Sequence, residues 1–265
     1  MRRLGKIWRA LGASVRVALM TALQYRASFI AEALVAVFWL TWTVAPLLVL
    51  FQFDASFSGW SRNEALIVVG FFITLSGILD AFIDPNLSAV VEHVREGTFD
   101  FLLLKPIDAQ LLVSVHRTAP AKLPHVVVGL VVALWGASQL TTKPGLLEIG
   151  GSLVLLLAGT TILHSLWTMV VSLSFKFVRV DNLSFLIRAV VDAGRWPLAF
   201  YPTGARVVLT FIVPVGLMTT YPALALRGVL EMRAGLSAIA VAVGFAVAAR
   251  VTWRWALRSY ASASS

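Results

Sequence analysis

The sequence predicts an all-α, polytopic membrane protein with about six transmembrane helices. Three observations carry this. Only 13% of the residues are charged and 59% are hydrophobic, whereas a soluble domain carries roughly 25% charged residues. Long stretches lack any ionisable side chain, and a spanning helix needs about 20 apolar residues. The 22 Lys and Arg residues fall in alternating rich and poor blocks, as loops do on opposite faces of a membrane.

Residues 1–26 hold six basic residues, spread too widely for the leading part of a secretory signal. At 100° per residue, Leu4, Trp8, Leu11, Val15 and Ala18 share one face, and Arg2, Lys6, Arg9 and Arg16 share the opposite one. This predicts an amphipathic interfacial helix, with Arg2, Lys6, Trp8, Arg9 and Arg16 at the membrane surface.

Spans one and two fall within 27–82. Ala33 to Phe53 has no ionisable residue, and Ala65 to Leu79 can continue through Ala81 and Phe82. Spans three and four fall within 120–175, from Val126 to Thr142 and from Ile149 to Phe175, the latter interrupted only by His164. The last run, Ala234 to Ala249, predicts a final span over 234–256 and a short tail over 257–265.

Basic residues set the orientation. The loop 80–122 holds Arg95, Lys105, Arg117 and Lys122, the segment 176–206 holds five, and the C-terminal end holds Arg250, Arg254 and Arg258. The loops 52–64 and 141–148 hold one each, Arg62 and Lys143. Both termini and the 80–122 loop are therefore expected in the cytosol. Parity then requires one full crossing within 177–233. Leu183 to Phe200 is amphipathic and carries Arg188 and Asp192, spaced to neutralise each other. Val207 to Leu226 is more apolar but is broken by Pro214 and Pro222. One should cross, and the other should be interfacial or re-entrant.

Little in the chain can do chemistry. It has no Cys, hence no disulfide, thiolate metal site or Cys nucleophile. No phosphate-binding loop, zinc-protease motif or serine-hydrolase motif occurs. The four His are scattered, at 93, 116, 125 and 164. His164 lies within a span, where an ionisable group is a candidate pathway contact, although a packed, hydrogen-bonded role is the plainer reading. Asp80, Asp84 and Glu92 follow the second span, and Asp84-Pro85-Asn86 reads as turn chemistry rather than a catalytic set. The basic excess belongs to membrane loops, so nucleic acid is not an expected partner.

One segment stands apart. Within 92–106, Glu92 to Arg95 reads as a helix leaving the membrane. Gly97 allows a reversal, Thr98 can cap a new short helix, and Asp100 lies near its positive end. Phe99, Leu102 and Leu103 would then form one apolar ridge, flanked by Glu96, Asp100 and Lys105, and Pro106 would end the helix.

Glu96-Gly-Thr-Phe-Asp-Phe-Leu-Leu-Leu-Lys-Pro106 resembles the cytosolic loop of permease subunits of type 2 ABC exporters. There the usual form is Glu-Gly-Thr-Leu-Asp-x-x-Leu-Leu-Lys-Pro, and Phe99 takes the place of the Leu. Two further stretches are similar to that family: Gly194-Arg-Trp-Pro-Leu-Ala-Phe-Tyr-Pro202, with Leu209 to Pro214 and Tyr221-Pro222-Ala223, and the ending Trp253 to Tyr260. The resemblance implies a permease that exports its substrate from a bacterial cytoplasmic membrane, and the apolar spans with few buried charges suggest an amphiphilic, lipid-like or drug-like substrate rather than an ion or a sugar. It implies that 183–200 crosses and that 203–226, with Pro202, Pro214 and Pro222, is a re-entrant hairpin. It implies that 96–106 couples to a separate ATPase dimer, that ATP and Mg are bound there and no cofactor by this chain, and that a second copy or a paralogous permease completes the transporter. Ion-coupled carriage, intramembrane lipid modification and a scaffolding role are the alternatives.

Overall fold

The computed structural model describes residues 20, 26–115, 117–175 and 183–258. The amphipathic helix expected over 1–26, with Arg2, Lys6, Trp8, Arg9 and Arg16, therefore lies almost wholly outside the described residues, as does the tail beyond 258.

The described residues are almost entirely helical. α1 runs Arg26–Phe53, α2 Arg62–Ile78, α3 Asp84–Arg95, α4 Asp100–Leu103, α5 Ala109–Val113, α6 Leu123–Ser138 and α7 Leu146–Ser172. α8 runs Leu183–Asp192, α9 Thr203–Val207, α10 Val215–Leu226 and α11 Met232–Arg258. A chain that leaves water must satisfy every backbone N–H and C=O internally, which long apolar helices do. Among the described residues, five helical stretches are long and apolar enough to cross a membrane: Ile30–Phe53, Arg62–Arg95, Pro120–Ser138, Leu146–Phe175 and Met232–Arg258. Thr203–Ile212 and Val215–Leu226 form a pair bent by 95° at Pro214.

The only strands among the described residues form a hairpin, β1 (Ser56–Phe57) and β2 (Trp60–Ser61), with Phe57 paired to Trp60. Its two turn residues, Ser58 and Gly59, both have positive φ, the geometry of a tight two-residue hairpin. α2 starts directly after it. Ser61 accepts from the Glu64 amide, and Glu64 accepts from the Ser61 amide at 2.7 Å, a reciprocal cap.

α2 is the centre of the bundle, buried from Ala65 to Leu75. It packs most extensively on α6 and also contacts α10 and α1; α10 in turn packs on α7, and α7 on α11. Glycines set the α2–α6 distance. A Cβ on Gly77 would lie 2.6 Å from the Val126 amide, and one on Gly136 2.8 Å from the Asn63 carbonyl. Small residues at such crossings bring backbones close enough for dispersion to hold helices together in lipid.

The helix carrying the second span does not turn at Asp84-Pro85-Asn86, as the sequence suggests. It continues through a π-helical segment, Leu79–Ile83, into α3. Pro85 cannot donate to the ladder, and the wider π turn accommodates it. The loop before α6 satisfies groups the irregularity leaves free: Ala119 donates to the Ala81 carbonyl at 2.8 Å. Asn86, almost fully buried, donates to the Phe82 and Arg117 carbonyls and accepts from the Arg117 amide. From Arg62 to Asp84 the helix rises about 33 Å, the thickness of a hydrocarbon core, so α3 projects beyond it.

The expected Arg188–Asp192 pair does not form. Arg188 instead bridges two carboxylates of the second span, Asp80 at 2.7 Å and Asp84 at 3.2 Å, while Asp192 pairs with Arg195. A guanidinium between two carboxylates that are mostly removed from solvent gains more than one beside a single exposed acid.

Residues 188–200 can be followed against the second span. Arg188 lies at Asp80 and Asp84, Arg195 sits over the Phe72 ring, and Phe200 packs edge-on against Phe57 of the hairpin. α10 begins beside Gly194 and Leu198, and beyond its end Arg227 pairs with Glu64 at 2.6 Å. Pro222 lies buried within α10, and Pro202 precedes α9.

Candidate functional site

The site is the projection beyond α3. That helix ends at Glu96, and Gly97 takes φ +69°. The Thr98 amide donates to the His93 carbonyl and the Gly97 amide to that of Val94, which closes the helix in a Schellman motif. The left-handed residue is why a glycine is needed there. The chain reverses and α4 follows at once.

Thr98 does not cap α4. Its hydroxyl bonds the His93 ring Nδ1 at 2.7 Å, and Phe99 occupies the cap position with no side-chain cap. The reversal itself consumes the hydroxyl that sequence reasoning assigns to the next helix.

The expected ridge of Phe99, Leu102 and Leu103 is divided. Phe99 is 0% exposed and lies edge-on to Phe175 and Trp253, with ring centroids 5.0 and 6.3 Å away. Leu102 is buried beside it, and Leu103 is half out. The outward face is made by Phe101 and Leu104, 70% and 80% exposed, with Glu96, Lys105 and Pro106 exposed around them. A four-residue helix cannot hold three apolar side chains on an outer ridge and also anchor itself, and the largest one, Phe99, is spent on anchoring.

Two further ties fix the element. Arg250 of α11 makes a forked pair with Asp108, Nη1 to Oδ1 at 2.9 Å, and also reaches Gln110 Oε1 at 2.8 Å. Asp108 caps α5 through the Leu111 amide. The hydrogen-bonded guanidinium holds the Asp108 carboxyl below its usual range, the backbone bonds helping and partial burial opposing. At the end of α5, Ser114 Oγ lies 3.0 Å from His164 Nε2. His164, about 27 Å along α7 from Leu146, thus packs against the end of α5. α4 and α5 are thus fastened to α7 and α11 while Phe101 and Leu104 face away.

A second feature is a cleft of ≈ 400 Å³ between α1, α2 and α8. Trp39 and Leu40 line one side; Phe72, Asp80, Arg188 and Asp192 line the other. His125 Nδ1 and Arg195 Nε, on lining residues, are buried with no hydrogen-bond partner. Apolar walls with a few convergent polar groups are the usual make-up of a small-molecule site.

Among the described residues, no group of His, Asp or Glu has the arrangement of a metal site. Asp80 and Asp84 share Arg188, and Glu92 pairs with Arg117 at 3.4 Å. Arg188 and Asp192 line the cleft, whereas His164 is elsewhere; Pro202 precedes the bent pair, Pro214 lies at its break and Pro222 is inside α10. Phe101, Leu104, Asp108 and Arg250 escape sequence reasoning. The signal for the first two is present as an apolar run, but a run does not say which members turn inward.

The family model described as ABC-2 family transporter protein matches residues 17–264. Neither a curated protein nor a solved structure matches the chain. A match over nearly the whole length joins the polytopic helical fold and the exposed loop element to one conclusion: the chain belongs to the ABC-2 transporter family and is an integral membrane permease of an ABC transporter.

Proposed function

We propose that this permease is driven outward-exporting by a separate ATPase dimer that docks on α4 and α5. The observation that carries this is the division of labour in α4: Phe101 and Leu104 are exposed, while Phe99 packs against Phe175, in the turn that extends α7, and against Trp253 of α11. A push on the outer face has a rigid route into two spans. ATP and Mg are held by the partner. Two copies of this chain, or this chain and a paralogous permease, form the pathway.

The loop end carries Arg95, Lys105, Arg117, Lys122, Arg250, Arg254 and Arg258, which favours the cytosolic side of a bacterial inner membrane and cytosolic termini. The contacts of 188–200 up the second span support a fifth crossing there, with 203–226 entering and leaving on the hairpin side. The cleft, with Trp39 and Phe72 beside paired charges, suits an amphiphilic substrate.

The test uses the permease reconstituted with its ATPase. Replacing Phe101 and Leu104 together by Ala should abolish ATPase association and ATP-dependent substrate export, while the permease still inserts and keeps its Tm. Full export by that variant, or export that follows an ion gradient with ATP held constant, overturns the reading.

A further inference from the structure

A groove runs along the exposed side of α7 and α11, apart from the cleft and ending at Arg250, the residue that ties α11 to α5. Its volume is ≈ 440 Å³. The floor is made by small residues, Ala158, Ala242 and Ala246, and the walls by Leu157, Val243 and Val247, which are largely exposed. Every lining residue is apolar except Thr161, whose hydroxyl is turned back to the Leu157 carbonyl, and Arg250. On α11 the groove runs from Ile239 to Arg250. That is about 16 Å, close to half of a hydrocarbon core of about 30 Å.

The groove ends in positive charge. At 100° per residue, Val243, Val247, Arg250, Arg254 and Arg258 fall within an arc of about 80°. The apolar stripe thus passes directly into a stripe of three arginines. Arg254 and Arg258 are exposed. A channel one leaflet deep, apolar along its length and cationic at its mouth, is complementary to one class of molecule.

We infer that the α7–α11 groove binds an anionic phospholipid, with an acyl chain between Val243 and Leu157 and the phosphate at Arg254 and Arg258. This rests on the chain being an integral membrane protein and not on the proposed substrate or motor. Because Arg250 also holds Asp108 and Gln110, a bound headgroup would adjoin the tie between α11 and α5.

The full chain, purified from bilayers of equal phosphatidylglycerol and phosphatidylcholine with the same acyl chains, tests this by native mass spectrometry. Wild type should retain phosphatidylglycerol in preference. Arg254→Gln should reduce that preference roughly fivefold, the effect of one basic residue near an anionic surface. Arg95→Gln, an exposed charge on α3, should leave it unchanged. Ala246→Phe, if it keeps the wild-type Tm, should lower retention of both lipids by filling the channel. Equal retention of the two lipids by wild type, or an unaltered preference in Arg254→Gln, overturns the proposal. So does cross-linking of Ala246→Cys between chains in bilayers, which would make the groove a contact between two copies.

Discussion

Phe99 and Phe101 stand two residues apart and do opposite work. Burying Phe99 against Phe175 and Trp253 removes a large ring from water and adds edge-to-face contacts worth about 0.5–1.5 kcal/mol each beyond burial. Phe99→Ala should therefore cost about 3–5 kcal/mol and lower the Tm of the detergent-purified permease. Phe101→Ala, at an exposed site, should stay within about 0.5 kcal/mol of wild type and weaken only partner binding, measured by co-purification of the ATPase. Asp108 adds a pH dependence. Its carboxyl titrates below its ordinary value of 3.8 when Arg250 is in place, so the tie contributes fully above that value and is lost as the pH falls through the lowered one. Acidification from pH 5 down through the lowered value should loosen α5 in wild type, read by hydrogen exchange at Leu111, and change much less in Asp108→Asn.

At the scale of elements, α2 and α6 are held by glycines rather than by interlocking large side chains. A Cβ on Gly129 would meet Thr74 Oγ1 at 2.5 Å and the Gly70 carbonyl at 2.7 Å. Gly129→Leu should force the helices apart and cost several times the roughly 1–3 kcal/mol of ordinary overpacking. Gly150→Leu, where nothing lies within 4 Å of an added Cβ, is the matched control; the two are compared by thermal unfolding. The spans themselves were legible as uncharged runs, because hydrocarbon demands apolar length whatever the neighbours are. The continuation through Pro85 was not. Whether a proline ends a helix or rides in a π turn depends on Ala119 and Asn86 reaching the free carbonyls, which only packing decides. The same holds for Arg188: a partner four residues away is visible in sequence, whereas Asp80 and Asp84, a hundred residues away, are not.

At the scale of the whole molecule, the question is which stretch of 183–226 crosses. The natural chain has no Cys, so single cysteines report sidedness without background. Thr203→Cys should be labelled by impermeant reagent from the same side as Asp54→Cys and the opposite side to Lys105→Cys. Labelling of Thr203→Cys together with Lys105→Cys would make the bent pair the crossing and remove the proposed hairpin.

Composition and charge pattern determined by themselves that this chain lives in a membrane, as a set of apolar helices with a charged, turn-bounded segment at 92–106 between two of them. Those properties are sums over local residues: apolar length, a left-handed glycine, a basic excess. The tertiary structure alone decided which face of the loop is free, who pairs with Arg188, and that Arg250 ties α11 to the loop. Each of these is a competition between distant groups for one partner or one buried position. Local periodicity carries no information about which of them wins.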